Sequence, residues 1–437
     1  MRDIIIVSVY AAALAWALYK RNPFIALMVY FWISFMNPHR YTWGFAYNLP
    51  LAMGAAAVTF LTLFISYKQI KFPKTRETYF FIAIWAFTLL TTIFSMYPEY
   101  AWPRWEVLAK SFLMTLVAML VINNKDRIIT FLLGVVFYIG FVGVKGAIFG
   151  VVTGGKYRVW GPPESFIEDN NSVGLCMVML VPLCLFLKDV VPKKWQSMTL
   201  LGIAGALSVS AVLTYSRGAM LGLVAVSIYY WTFSKHKLRI ALAGIVILIV
   251  AFQFLPQEWF NRMDTIEDYE EDRSANMRLN SWAMSYQIAR HNILGGGFDC
   301  FTLENYNRYS PNPDLGRAHQ DGQIVGSTAH SIYFQVLATQ GFGGLLLYLA
   351  ALFSMLFSLR RLDKIGRITD SGLWISFVSR GLIGSILGFM ASGAFLSLAF
   401  FDLFWALYGA GICLKAFVFS GEWLQDNKGD IIENITT

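Results

Sequence analysis

The chain has 437 residues, of which 57% are hydrophobic and only 14% charged, against about 25% charged in an ordinary globular protein. A soluble domain this apolar would be unusual. The formal charge of +8 lies in short connectors between apolar runs, so it speaks of membrane topology and not of nucleic acid. Apolar runs approaching the ~20 residues that cross a hydrocarbon core predict spans near 3–19, 23–36, 50–67, 79–96, 107–122, 128–152, 172–188, 197–214, 218–233, 238–255, 331–358, 373–395 and 397–419. The first, after Met1-Arg2-Asp3, has no small-residue cleavage signature and reads as a retained helix.

The fold class is therefore an all-α polytopic membrane protein with about 12 transmembrane helices (12–13) and one large, partly helical periplasmic loop. The predicted regions are transmembrane helices with short connectors at 1–255, the loop at 256–330, further transmembrane helices at 331–419 and a polar cytoplasmic tail at 420–437. Basic connectors recur on alternate sides of the spans: Lys20-Arg21, Lys68 to Arg76, Lys125 with Arg127, Lys188 to Lys194, Lys235 to Arg239, and Arg360 to Arg367. The positive-inside rule places them in the cytoplasm. The connectors 37–49, 97–106 and 153–171, the Tyr215-Ser216-Arg217-Gly218 turn and the 256–330 loop then face outward. The segment 23–36 is short and opens at Asn22-Pro23. Read as re-entrant or tilted, it leaves twelve spans and an inside N-terminus; read as a crossing, it makes thirteen.

The outer loop carries its own pattern. Ser274–His291 places Met277, Trp282, Tyr286 and Ala289 among polar residues, as an amphipathic interfacial helix does. Gly295-Gly-Gly297 follows as a flexible break. Trp259, Phe260, Trp282, Tyr306 and Tyr309 suit the headgroup level. Glu267 to Asp272 is an acidic run without the alternating ligands of a calcium loop, so it reads as a solvated face. Cys176, Cys184 and Cys413 lie in apolar segments and Cys300 is alone in the loop, which gives neither a disulfide framework nor a spaced metal site. No phosphate-binding glycine loop, dinucleotide fingerprint or metal-ligand pair appears, so no metal or cofactor is expected.

A few polar residues stand out against this background. Arg217 sits in a very short turn between two spans; its planar fork suits phosphate oxygens, and the bland alternative is snorkelling to headgroups. Arg278 and Arg290 lie twelve residues apart on the interfacial helix, about 120° apart around it. One can point to a membrane cavity and the other to water, or both can meet anionic lipid. His330 opens a span on the outer side. With an ordinary pKa near 6.5 it can accept a proton at neutral pH as a general base, or it can simply cap and pack. His291 and His319 read as surface residues. Lys145, inside the span 128–152, either helps neutralise an anionic substrate or snorkels. Asp169-Asn170-Asn171-Ser172 is a good helix start, with substrate hydrogen bonding by Asn170 or Asn171 as the minority reading. Asp402, in the last span, has no account from sequence.

Four stretches carry a family resemblance: Asp169-Asn-Asn-Ser172; Thr214-Tyr-Ser-Arg217-Gly-Ala219; Arg278 with Trp282 ahead of His291-Asn-Ile-Leu-Gly-Gly-Gly297-Phe; and His330-Ser-Ile-Tyr-Phe-Gln-Val-Leu-Ala-Thr-Gln340-Gly-Phe-Gly343. Each is weak alone, but in this order, over roughly 155–360, they resemble the bacterial O-antigen ligase and polymerase superfamily. Phe35-Met-Asn-Pro38-His-Arg-Tyr-Thr-Trp43-Gly-Phe and Gly161-Pro-Pro-Glu-Ser-Phe-Ile-Glu-Asp169-Asn look like the subgroup of O-glycosylation ligases.

The resemblance implies a metal-independent, multi-pass glycosyltransferase of the bacterial inner membrane with its site facing the periplasm. Such enzymes take a glycan from undecaprenyl diphosphate and pass it to lipid A–core in lipopolysaccharide biosynthesis; relatives pass it to protein side chains or to a growing O-antigen. It implies that Arg217 and Arg278 hold the diphosphate and that His330 is the base. It leaves Lys145, Arg290, Asn170 and Asn171 as further substrate-binding candidates. Two departures, Ser331 where the family often has Asn and Gln340 where it often has an acid, leave the acceptor open. A lipid or sugar transporter is the alternative from another class; it would place its charges near the bilayer midplane on broken helices and show inverted repeats, and no repeat is visible.

Overall fold

Helices form nearly all regular structure in the computed structural model, which describes residues 1–67, 70–233, 237–238, 273–320 and 323–425. In chain order they are α1 (Arg2–Tyr19), α2 (Pro23–Met36), α3 (Leu51–Ile65), α4 (Arg76–Ile93), α5 (Pro98–Val121), α6 (Lys125–Val152), α7 (Asn170–Leu187), α8 (Lys194–Leu213), α9 (Arg217–Thr232), α10 (Arg273–His291), α11 (Leu303–Tyr309), α12 (Ile332–Gly366), α13 (Leu373–Gly393) and α14 (Asp402–Phe419). Seven of these, α1, α6, α7, α8, α12, α13 and α14, are long and apolar enough to cross a membrane, and α2 and α3 are shorter apolar helices. The molecule is a multi-pass helical membrane protein. All but the first residue of the predicted span at 238–255, and Trp259, Phe260, the acidic run 267–272, Lys68, Lys235, Arg239 and the tail from 426 onward, lie outside the described residues.

Short polar residues start several helices by accepting the free N–H groups of the first turn. Asn22 accepts from Phe24 at 3.0 Å with Pro23 at the first helical position. Asn124 accepts from Arg127 at 2.9 Å. Asp169 accepts from Asn171 at 2.9 Å and Ser172 at 3.0 Å, as the sequence predicts. α7 is apolar on every face and buried along nearly its whole length, as such a helix must be. It packs between α13, α8, α9 and α6 and forms the axis of the bundle.

Contacts between connectors sort the helix ends into two sets. At one end, termed the outer end, Arg40 pairs with Glu164 at 2.8 Å, the Met96 N–H donates to Gly296 O at 3.0 Å, and the Tyr97 hydroxyl reaches Asn305 at 3.3 Å. At the other end the Ser66 hydroxyl donates to Arg21 O at 2.7 Å, Lys71 pairs with Glu422 and Arg380 pairs with Asp363 at 2.8 Å. The 37–49, 97–106 and 153–171 connectors and the described part of the loop meet at the first end, and the Lys20-Arg21, Lys71 and 360–367 regions at the second.

This sorting places the two ends of α1. The Ala46 N–H donates to Asp3 at 3.1 Å, so the start of α1 stands at the outer end while Arg21 stands at the other. α2 then returns the full way to the 37–49 connector. Asn22-Pro23 is a capped helix start, and α2 is shorter than the seven helices long enough to cross a membrane. At 1.5 Å per residue α2 is only about 21 Å long; the 3-10 turn Pro38–Tyr41 extends its outer end.

Two further differences concern the loop. It contains a small antiparallel hairpin, β1 (Arg317–Gln320) with β2 (Gln323–Gly326), in register from Arg317 opposite Gly326 to Gln320 opposite Gln323. The intervening Asp321-Gly322 is a common two-residue hairpin dipeptide whose signal the membrane-span reading passed over. The Gly295–Gly297 segment is docked, not a loose break. α12 is interrupted at Gly341, whose φ of 67° and ψ of −172° are not helical. The carbonyls of Ala338 and Thr339 accept the N–H groups of Gly296 at 2.7 Å and Gly297 at 3.0 Å. A broken helix inside a membrane protein persists only where other groups take up its freed backbone, and the glycine loop does so.

A Cβ on Gly341 would overlap the Ile293 carbonyl, and one on Gly295 would meet the Gly341 and Gln340 nitrogens. Gly341→Ala is therefore expected to lose about 1–3 kcal/mol from backbone strain alone, seen as a lowered thermal midpoint in detergent. An unchanged midpoint would show that this junction is not held by the glycine pair.

Candidate functional site

The Arg217 turn is rigid. Tyr215 takes a left-handed conformation, φ 57°, and its hydroxyl donates to Gly155 O at 2.5 Å. The Asn170 amide donates to Thr214 O at 2.8 Å. Ser216 caps α9 through the Ala219 N–H at 3.3 Å. Arg217 is thus the first residue of α9, half-buried, on a turn tied to the connector after α6 and to α7. Its neighbour Gly218 faces the end of α13: a Cβ there would lie 3.1 Å from Ser392 O and 3.2 Å from Leu396.

α10 packs on α12 with Ser281, Met284, Ser285 and Ile288 buried, while Leu279, Tyr286 and Arg290 are exposed. The indole N–H of Trp282 donates to Ala329 O at 2.8 Å, and its ring stacks on Phe334 with centres 4.8 Å apart and planes 5° apart. Arg278, half-buried, has its guanidinium 6.0 Å from the Phe395 ring centre. His330 stands between the buried residues Ala329 and Ser331 and is itself half-buried, with φ 47°. Its backbone N–H donates to the Ser397 hydroxyl at 2.7 Å. Burial and then the Arg278 charge hold its imidazole below the usual histidine pKa of 6.5. At neutral pH the ring is uncharged and able to take a proton.

These three neighbourhoods share one element, the connector between α13 and α14. Phe395 lies by Arg278, Leu396 by the Arg217–Gly218 turn, and Ser397 holds His330. Ala399 donates its N–H to Gln335 at 3.0 Å and accepts the Tyr348 hydroxyl at 3.1 Å. Phe401 packs on Phe166, which packs in turn on Phe35. The structure thus gathers Arg217, Arg278 and His330 around 394–401 at the outer end. Sequence reading missed this connector, because spans drawn at 373–395 and 397–419 leave it no room; Ser392-Gly393 and Ser397 are its only polar or flexible marks.

Of the other candidates, Lys145 and Arg290 fall elsewhere and Asn170 belongs to the Arg217 turn. Lys145 is exposed on α6, with its ammonium 4.1 Å from the Tyr41 ring centre. Arg290 is exposed in the last turn of α10, about 18 Å along the helix from Arg278. The Asn170 side chain is spent on the Thr214 carbonyl, and Asn171 is half-buried behind the Asp169 cap. Cys300 is no nucleophile, since burial pushes its thiol up to about 12. Among the described residues no three His, Cys, Asp or Glu side chains converge on a metal-sized site.

Arg278 lies close enough to lower the His330 pKa, and the turn that carries Arg217 meets the same connector through Gly218. Residues 202–349, which carry all three side chains, match the family model described as O-antigen ligase. Residues 1–191 match a family of unknown function (DUF5935). No curated protein matches the chain.

Proposed function

We propose that this chain, a member of the O-antigen ligase family through residues 202–349, is an inverting glycosyltransferase that moves a glycan from undecaprenyl diphosphate to lipid A–core on the periplasmic face of the inner membrane. The family match supports glycosyl transfer in general. The gathering of Arg217, Arg278 and His330 around one connector is the observation that supports the finer reading. In it, Arg217 and Arg278 hold the diphosphate, whose charge grows as the sugar–oxygen bond breaks. An acceptor hydroxyl attacks the anomeric carbon from the opposite face. His330 takes its proton, the bond electrons leave with the diphosphate, and the anomeric configuration inverts. The transporter alternative loses ground, because these groups lie together at one end of the bundle.

The test is a product assay. Purified protein, given a glycan on a polyprenyl diphosphate, should label lipid A–core with inverted anomeric configuration by NMR. Labelling of polypeptide alone would reassign it as a protein O-oligosaccharyltransferase. Lengthening of the donor's own glycan would make it a polymerase, and retention of configuration would sink the single-displacement mechanism.

A further inference from the structure

Ala329 C=O and His330 N–H belong to one peptide plane, and the structure grips that plane on both edges. Trp282 of α10 donates to the oxygen at 2.8 Å, and Ser397 of the α13–α14 connector accepts from the nitrogen at 2.7 Å. The two grips come from elements 47 and 67 residues away in sequence. We infer that Ser397 and Trp282 are positioning residues for the transfer reaction, a clamp that fixes the rotation of this peptide and so the place of the His330 imidazole. The inference rests on the base assignment above.

The clamp is needed because His330 sits at φ 47°, a left-handed backbone that histidine adopts more readily than most residues but still at a cost. The residue precedes the first turn of α12, so no helical hydrogen bond fixes it. Its neighbours Ala329 and Ser331 are buried, which leaves water little access to replace a lost partner. Misplacing a catalytic group by about 1 Å can cost as much as ~10²-fold in rate. Among the described residues, Arg278 on α10 is the charge that acts on the ring; α12 carries only the phenol Tyr333 in its first two turns, and the connector has no ionisable side chain from Ala394 to Phe401.

Ser397→Ala removes the acceptor; Ser397→Thr keeps it. Trp282→Phe keeps a ring to stack on Phe334 but loses the donor. Ser397→Ala should lower kcat about tenfold or more with little change in donor KM, and Ser397→Thr should recover most of the loss. Trp282→Phe should lower kcat in the same direction. A loosened, better-hydrated imidazole titrates closer to 6.5, so the acid limb of the kcat profile should move to higher pH in Ser397→Ala. Wild-type kcat with an unmoved limb would overturn the clamp. So would a loss that scales the whole profile and that threonine fails to recover, because that is general damage to the connector. His330→Ala distinguishes the two levels of failure: if it is inactive while Ser397→Ala is normal, only the clamp falls; if it transfers normally, the base assignment falls and the clamp with it.

Discussion

Replacing His330 with alanine should abolish glycan transfer while leaving a folded protein. General base catalysis typically supplies about 10²–10⁴ in rate, and here the attacking hydroxyl has an ordinary alcohol's reluctance to lose its proton. Burial and the Arg278 charge keep the imidazole's pKa below 6.5. The sign follows directly: the free base persists to lower pH than an exposed histidine would allow, and activity should fall only as pH drops through that depressed value. The bond that anchors the residue uses its backbone N–H, which alanine retains. Alanine at φ 47° costs roughly 1–2 kcal/mol, so His330→Asn is the better-matched control, since asparagine accepts that backbone more easily. Single-turnover measurements on both variants, beside thermal melts, decide the matter. Turnover at the wild-type rate in either would remove His330 as the base.

The helical framework was legible because apolar length and cap residues are local. Asp169 starts its helix where a short polar side chain precedes an apolar run, and it accepts first-turn N–H groups in the structure. What the sequence hid is non-local. Ala394 to Phe401 is apolar enough to pass for membrane span, yet it leaves the helix and organises the site through Phe395, Leu396 and Ser397. Nothing in its local pattern names His330, 67 residues earlier, as its partner. The Gly295–Gly297 segment reads as loose by composition and is fixed only because α12 breaks at Gly341 and offers two carbonyls. At the opposite end Glu77, fully buried, pairs with Lys415 at 2.5 Å across 338 positions and accepts from Ser354 and Ser358. A pattern search along the chain has no means of finding that pair. The candidate arginines and the histidine were found by depth and by family likeness, but that they gather around one connector is a property of the fold alone.

Arg217→Lys and Arg278→Lys should each lower kcat by about 10²–10³, the scale of losing one well-placed donor to a developing oxyanion. Lysine keeps the charge but loses the planar two-point fork. The prediction therefore separates shape from charge at two positions held by different means: Arg217 by a turn tied to Tyr215, Asn170 and Ser216, and Arg278 by a helix whose Trp282 reaches the Ala329 carbonyl. Glutamine at the same positions adds a second readout. The Arg278 charge lowers the His330 pKa, so Arg278→Gln should raise it toward 6.5 and move the acid limb of the rate profile to higher pH. Arg278→Lys, which preserves the charge, should move it far less. Because among the described residues Arg278 is the charge that acts on the imidazole in this way, Arg217→Gln should lose rate with the limb in place. Lysine variants that turn over like wild type would show that the leaving group is not held by guanidinium forks. A limb that shifts equally in both glutamine variants would show that the two arginines do not hold distinct places around the histidine.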